Sequence, residues 1–164
     1  MSDFLRILGG ALLLLCALLV GREYSAYAGR RIAEHQGFIA LISHAEGMIG
    51  RFLSSGDELW RGFDNKALER VGFLPLIKDG KDADSAFSTV KGRLSLGDEA
   101  KKKLEEFFKD FGSGYKDQEI ARISALRTEL ETSLKTETSE LEKNSRVLNA
   151  LLVGGALGLI ILLV

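Results

Sequence analysis

Two stretches of the chain carry no charge, and nearly all charged residues lie between them. Residues 7–21 and 147–164 contain no Asp, Glu, Lys or Arg. A hydrocarbon core of ~30 Å takes about 20 apolar residues as a helix, so each stretch predicts a membrane span. The limits read this way are a span at 4–21, a domain at 22–146 and a second span at 147–164. In the second span, Gly154 and Gly158 stand at the spacing that lets membrane helices approach closely; a lone lipid-facing anchor with incidental glycines is an equal reading. The N-terminal stretch has a competing reading as a cleaved secretory signal, with Arg6, the run Ile7–Val20 and Ala26-Tyr27-Ala28. Its apolar run is long and the A-x-A site lies well beyond it, which favours a retained anchor.

Between the spans the pattern is helical throughout. Tyr24, Ala28, Arg31, Phe38, Ile42, Ile49 and Phe52 recur at steps of three, four or seven, predicting that the first helix runs on to about Leu53. The opposite face carries small residues, Ala26, Gly29, Ala33, Gly37, Ala40 and Gly47. A helical glycine costs ~1 kcal/mol relative to Ala, so this face reads either as a close helix–helix contact or as a loose exposed surface. A turn and restart are expected at Ser54–Trp60. Residues 57–92 read as short helical pieces broken at Gly62, Gly72, Pro75 and Gly80, with the apolar 70–77 segment entering the core. Asp98 is the expected N-cap of the next helix, and Leu104, Phe107, Phe108 and Phe111 form its apolar stripe.

The stretch Phe111–Glu119 then reads as a helix stop followed by a helix start. Gly112 suits the position after a helix end, where φ is often positive. Asp117 is the expected cap of the last helix, with Glu119 in its first turn. Ile120, Ile123, Leu126, Leu130, Leu134, Leu141 and Leu148 continue one apolar line, as in a coiled coil. At 1.5 Å per residue, 118–164 is ~70 Å of helix, so this corner predicts a hairpin that brings the second span back beside the first.

Charge adds an orientation. Arg22, Arg30, Arg31, Lys135, Lys143 and Arg146 flank the inner sides of the two apolar stretches, while only Arg6 and the N-terminal amine lie outside them. The positive-inside rule then places the domain in the cytoplasm, although the rule weakens for loops beyond ~60 residues. Lys+Arg total 22 and Asp+Glu 23, a balance that argues against nucleic acid as the main partner.

Candidate chemistry is sparse. The lone Cys16 allows no internal disulfide and no Cys-based zinc site. His35 and His44 sit on different helix faces with no ligand partner four residues away, and read as packed or solvated imidazoles. No phosphate loop or nucleophile elbow is present. Glu129, Glu131, Glu137, Glu140 and Glu142 alternate with Lys, Thr and Ser, the pattern of a solvated face. The expectation is a non-enzymatic protein without cofactor, metal or small-molecule substrate.

Phe107, Phe111-Gly112, Asp117, Ile123, Leu130-Glu131 and the terminal apolar run stand together at a spacing that resembles the stage III sporulation protein AB family. The first anchor, Arg31 and Glu46-x-x-Ile49 resemble that family's N-terminal features, with Met48 where a second Glu is common. Residues 54–100 match poorly. The resemblance implies an all-α bundle similar to the platform-protein domain of type II secretion machines, held between two transmembrane helices. It implies a multi-pass protein of the mother-cell membrane around the forespore. It also implies a place in the secretion-like sporulation complex, with that complex's cytoplasmic ATPase and its other membrane proteins as partners. Gly29, Gly37, Ala40, Glu46, Phe107, Phe111, Gly112, Asp117, Ile123, Leu130, Gly154 and Gly158 are the structural or interface candidates. A two-helix sensor or a tail-anchored extracytoplasmic protein is the alternative. A sensor needs an output module beyond its second anchor, and none follows here.

Overall fold

The computed structural model describes residues 2–51, 59–60 and 62–163, so most of the turn expected at Ser54–Trp60, and Phe52, lie outside the described residues. The described residues are helical or in turns, with no strand. In order, the helices are α1 (Ser2–Arg51), α2 (Lys66–Arg70), α3 (Phe73–Lys78), α4 (Ala83–Val90), a short 3-10 turn (Lys91–Arg93), α5 (Asp98–Asp110) and α6 (Lys116–Leu163). The chain divides into two units. A terminal unit joins residues 1–29 and 137–164, and a central unit comprises residues 30–136. These boundaries fall inside the limits of 22 and 146 suggested by the uncharged stretches.

The central unit is built around aromatic rings. Phe38 of α1 meets Phe73 of α3, Phe87 of α4 and Phe108 of α5 edge-on, with ring centroids 5.4, 5.7 and 6.3 Å away. Trp60 extends the cluster to Phe108 and Phe111. Leu41, Ile42, Leu68, Leu74, Leu104, Ile123 and Leu130 fill the space around the rings and are fully buried. Edge-on and tilted arrangements let the positive ring edge face the negative ring centre, worth roughly 0.5–1.5 kcal/mol per pair beyond the area buried.

The short helices are separated by local chemistry. Asn65 caps α2, its side-chain oxygen accepting from Ala67 and Leu68 N–H at 3.0 and 3.2 Å. Gly72, at φ 90°, takes the left-handed turn into α3 that a side chain would resist. Pro75 does not break the chain as expected. It lies inside α3, in the first turn, where its missing N–H has no intrahelical partner to lose. Asp82 caps α4 by accepting from Ser85 N–H at 2.8 Å. The cap of α5 is Gly97 rather than Asp98, which is instead the first helical residue. There its carboxylate favours the positive end of the helix dipole without closing a cap bond.

The terminal unit presents the opposite surface. It exposes large apolar residues on both of its segments: Leu12, Leu15, Leu18, Leu19 and Val20 on α1, and Val147, Leu151, Val153 and Leu157 on α6. Its two helical segments pack closely at Gly21, where an added Cβ would lie 2.9 Å from Asn149 Oδ1. Among the described residues, one helix is long and apolar enough to cross a membrane, within Gly9–Ile49.

Candidate functional site

The sequence candidates separate into four environments. Phe107, Ile123 and Leu130 are core residues of the central unit. Gly37 lies tight against α2 and its cap: an added Cβ would meet Asn65 Oδ1 at 2.9 Å and Leu68 Cγ at 3.0 Å. The rest of the small-residue face differs. Ala40 is exposed, and Gly29 and Gly47 are exposed with nothing within 4 Å of a Cβ. Of the two readings of that face, the close contact holds at Gly37, against the five-residue α2, and the exposed one at Gly29, Ala40 and Gly47. Gly154 and Gly158 are likewise exposed, with nothing within 4 Å of an added Cβ.

The corner groups Phe111, Gly112 and Asp117. Phe111 closes α5 in an extended conformation and sets its ring, tilted, 5.3 Å from that of Phe107. Gly112 follows at φ 82°, the left-handed position expected of it. Asp117 does not cap the last helix. It is exposed in the first turn of α6, and the reaching carboxylate belongs to Glu119, whose Oε1 accepts from Gly114 N–H at 3.1 Å. Gln118 Oε1 accepts from Tyr115 N–H at 3.4 Å. The helix begins one residue earlier than Asp117, so the acid able to fold back over its free N–H groups lies further along.

Sequence reasoning did not single out Arg122, which ties this corner together. Its guanidinium donates to the Asp110 carbonyl at 3.2 Å and lies 3.3 Å from the Asp110 carboxylate and 3.4 Å from Glu119. A planar fork suits such a role, because it donates in several directions at once. Nearby, Lys103 bridges Glu99 and Glu129 at 3.0 and 3.1 Å. Hydrogen bonds to Glu99, then Glu129, hold its ammonium above the ordinary lysine value. Lys103, Arg122 and Glu129 line a shallow groove of about 270 Å³ between α5 and α6.

Glu46 pairs with Arg127 of α6 at 2.9 Å, and Arg127 also lies 3.8 Å from Glu131. This explains an acid beside an apolar stripe: it joins the first and last helices of the central unit at their rim. Also unanticipated is Glu34, which is 4% exposed and accepts from Ser95 N–H at 2.6 Å. It anchors the segment after the 3-10 turn to α1. Its only sequence signal is an acid on a buried helix face.

His35 is buried, while His44 is half-buried with its ring 5.4 Å from Phe63. They share no ligand set, and no cluster of three His, Cys, Asp or Glu forms among the described residues. The outer side of α6 has a different character. Thr128, Thr132 and Thr136 donate their hydroxyls to the carbonyls four residues back, at 2.9, 2.8 and 3.2 Å. Their hydroxyls turn inward to the backbone, leaving a low, weakly polar surface on the exposed face.

The stage III sporulation protein AB family model matches residues 6–164. No curated protein and no solved structure matches the chain. The match covers nearly the whole sequence, so this chain belongs to that family, and its role is tied to sporulation.

Proposed function

We propose that this member of the stage III sporulation protein AB family is a non-catalytic platform subunit of the membrane assembly linking mother cell and forespore. Two terminal helices anchor it in the mother-cell membrane, and the central unit lies in the cytoplasm. The family match carries the reading. The terminal unit supports it physically, because both of its segments expose runs of Leu and Val, residues that water would penalise and lipid would not. The central unit supplies faces rather than a reaction centre. Its ionisable groups at the corner and rim are engaged with one another, as in Arg122 with Asp110 and Glu119. The hydroxyl-masked face of α6 and the exposed Gly154 and Gly158 are surfaces for other helices, and the partners are the complex's cytoplasmic ATPase and its other membrane proteins.

The test is recovery of the tagged full chain from sporulating cells, with co-purifying proteins identified, alongside spore counts of a deletion strain. The platform reading expects the ATPase and membrane subunits in the pull-down and a block after engulfment. Single cysteines at Lys81 and Ser139, with Cys16 removed, are expected to resist an impermeant thiol reagent until the membrane is opened. Ready labelling in intact cells would favour the extracytoplasmic alternative. His44→Ala provides a catalytic control: if it folds and assembles normally yet abolishes sporulation, an active site exists and the platform reading fails.

A further inference from the structure

The terminal unit contains a groove of about 510 Å³ between its two helical segments. The volume is in the range of small-molecule sites. Its lining is graded along the helices. Leu14 and Leu18 on α1, with Leu152 on α6, make one end apolar. Arg22, Ser25 and Asn149 make the other end polar, on the side nearer the charged sequence. The two ends fall in register because the segments run antiparallel: Gly21 lies against Asn149.

The polar end carries one charge and no acid. Arg22 is exposed and has no ion-pair partner among the described residues. Arg146, further along α6, is different: it lies 3.7 Å from Glu142. The Ser25 hydroxyl is spent on the Gly21 carbonyl at 3.0 Å, which leaves the guanidinium and the Asn149 amide as the polar groups facing the groove. A guanidinium is matched by a phosphate, to which it can donate two parallel hydrogen bonds. The uncharged span of a second copy of this chain in the groove would cover Arg22 without supplying a counter-charge. A molecule with a phosphate at one end and hydrocarbon at the other satisfies both ends at once.

We propose that this groove seats one anionic phospholipid, its phosphate on Arg22 and the upper part of an acyl chain between Leu14, Leu18 and Leu152. The inference rests on the membrane anchoring proposed above. The lipid serves as the third wall of the helix pair, so the anchor is a protein–lipid unit rather than two bare helices.

The experiment uses the full chain in bilayers. Carbonate extraction comes first: a chain released by carbonate overturns both the anchoring and the groove. A chain that resists is taken into nanodiscs of phosphatidylglycerol or phosphatidylcholine, and retained lipid is counted by native mass spectrometry. One phosphatidylglycerol per chain is expected to persist, with phosphatidylcholine lost. Arg22→Gln is expected to weaken retention about fivefold, the loss of one basic residue near an anionic surface. Ala17→Trp, which fills the groove, is expected to release the lipid with helix content unchanged, while Arg146→Gln leaves retention as in the parent. Equal retention of both lipids, or equal losses for Arg146→Gln and Arg22→Gln, overturns the groove while leaving the anchoring in place.

Discussion

Replacing Gly37 by alanine sets two opposing effects against each other, and the surroundings decide the sign. Alanine is favoured over glycine in a helix by about 1 kcal/mol. At Gly37 the new Cβ would meet Asn65 Oδ1 at 2.9 Å and Leu68 side-chain carbons at 3.0 and 3.2 Å. Leu68 is fully buried and has little room to retreat. Overpacking of this kind costs about 1–3 kcal/mol. Asn65 is also the cap of α2, and displacing its oxygen from Ala67 and Leu68 N–H adds about 0.5–2 kcal/mol. The net expectation for Gly37→Ala is destabilisation of about 0.5–4 kcal/mol, after subtracting the helix gain. Gly47 provides the control on the same helix, since nothing lies within 4 Å of its added Cβ. Gly47→Ala is expected to stabilise by up to about 1 kcal/mol. The single tryptophan, Trp60, is buried against Phe108 and Phe111 and reports unfolding of the central unit. Urea titration of the full chain in detergent, followed by its fluorescence, gives both midpoints. With a slope of roughly 1–3 kcal/mol per molar, a 2 kcal/mol loss moves the midpoint down by about 0.7–2 M. A rise for Gly37→Ala matching that of Gly47→Ala would refute the close contact.

Glu34→Ala is expected to cost about 1.5–3 kcal/mol, since it removes a charge-assisted bond and leaves the Ser95 N–H without its acceptor; an unchanged urea midpoint would mean that this bond is dispensable. At the corner, Glu119→Ala is expected to destabilise by about 1 kcal/mol, more than Asp117→Ala, because Glu119 holds both Gly114 N–H and Arg122. The reverse order in thermal melts would restore Asp117 as the cap. Ser85 N–H, then the Ser85 hydroxyl, holds the Asp82 carboxyl below its ordinary value. Its contribution is therefore present above the ordinary carboxylate value of 3.8 and lost as pH falls through the lowered folded value. Comparing melts of the parent with Asp82→Asn, which keeps a capping oxygen but does not titrate, should show a small difference that changes across this acid range, small because the group is exposed to solvent. A difference independent of pH would exclude the linkage.

The helical class and the long runs of the first and last helices were legible because periodicity at three and four residues persists over many turns. The aromatic stripe of α5 was legible for the same reason, with Leu104, Phe107 and Phe108 buried as the spacing predicts. Gly112 could be placed because only one residue type tolerates the conformation that the turn needs. The caps were harder to read. Asp98 and Asp117 lie one and two residues past the caps of the helices that they were expected to cap, since an acid is favourable both at the cap and in the first turn. Glu34, Arg122 and Arg127 could not be found from spacing. Their partners Ser95, Asp110 and Glu46 lie on other elements or loops, and charge order along the chain carries no trace of such pairings. The small-residue face of α1 left two readings open because periodicity reports which residues share a face and not what covers it.

The ring cluster around Phe38 has a consequence in time. Phe38, Leu41 and Ile42 leave the ribosome early, but Phe108 is 108 − 38 = 70 residues behind. At ~5–20 residues per second, the apolar stripe of α1 waits about 4–14 s before its ring partner on α5 exists. Leu130, a member of the same core, comes later still. During that interval the stripe is a nascent sticky surface, open to a chaperone or to another nascent copy. Pausing translation after Leu41 has cleared the exit tunnel but before Phe108 has done so is therefore expected to raise chaperone crosslinking at Leu41, whereas a pause after Leu130 has cleared the tunnel should not.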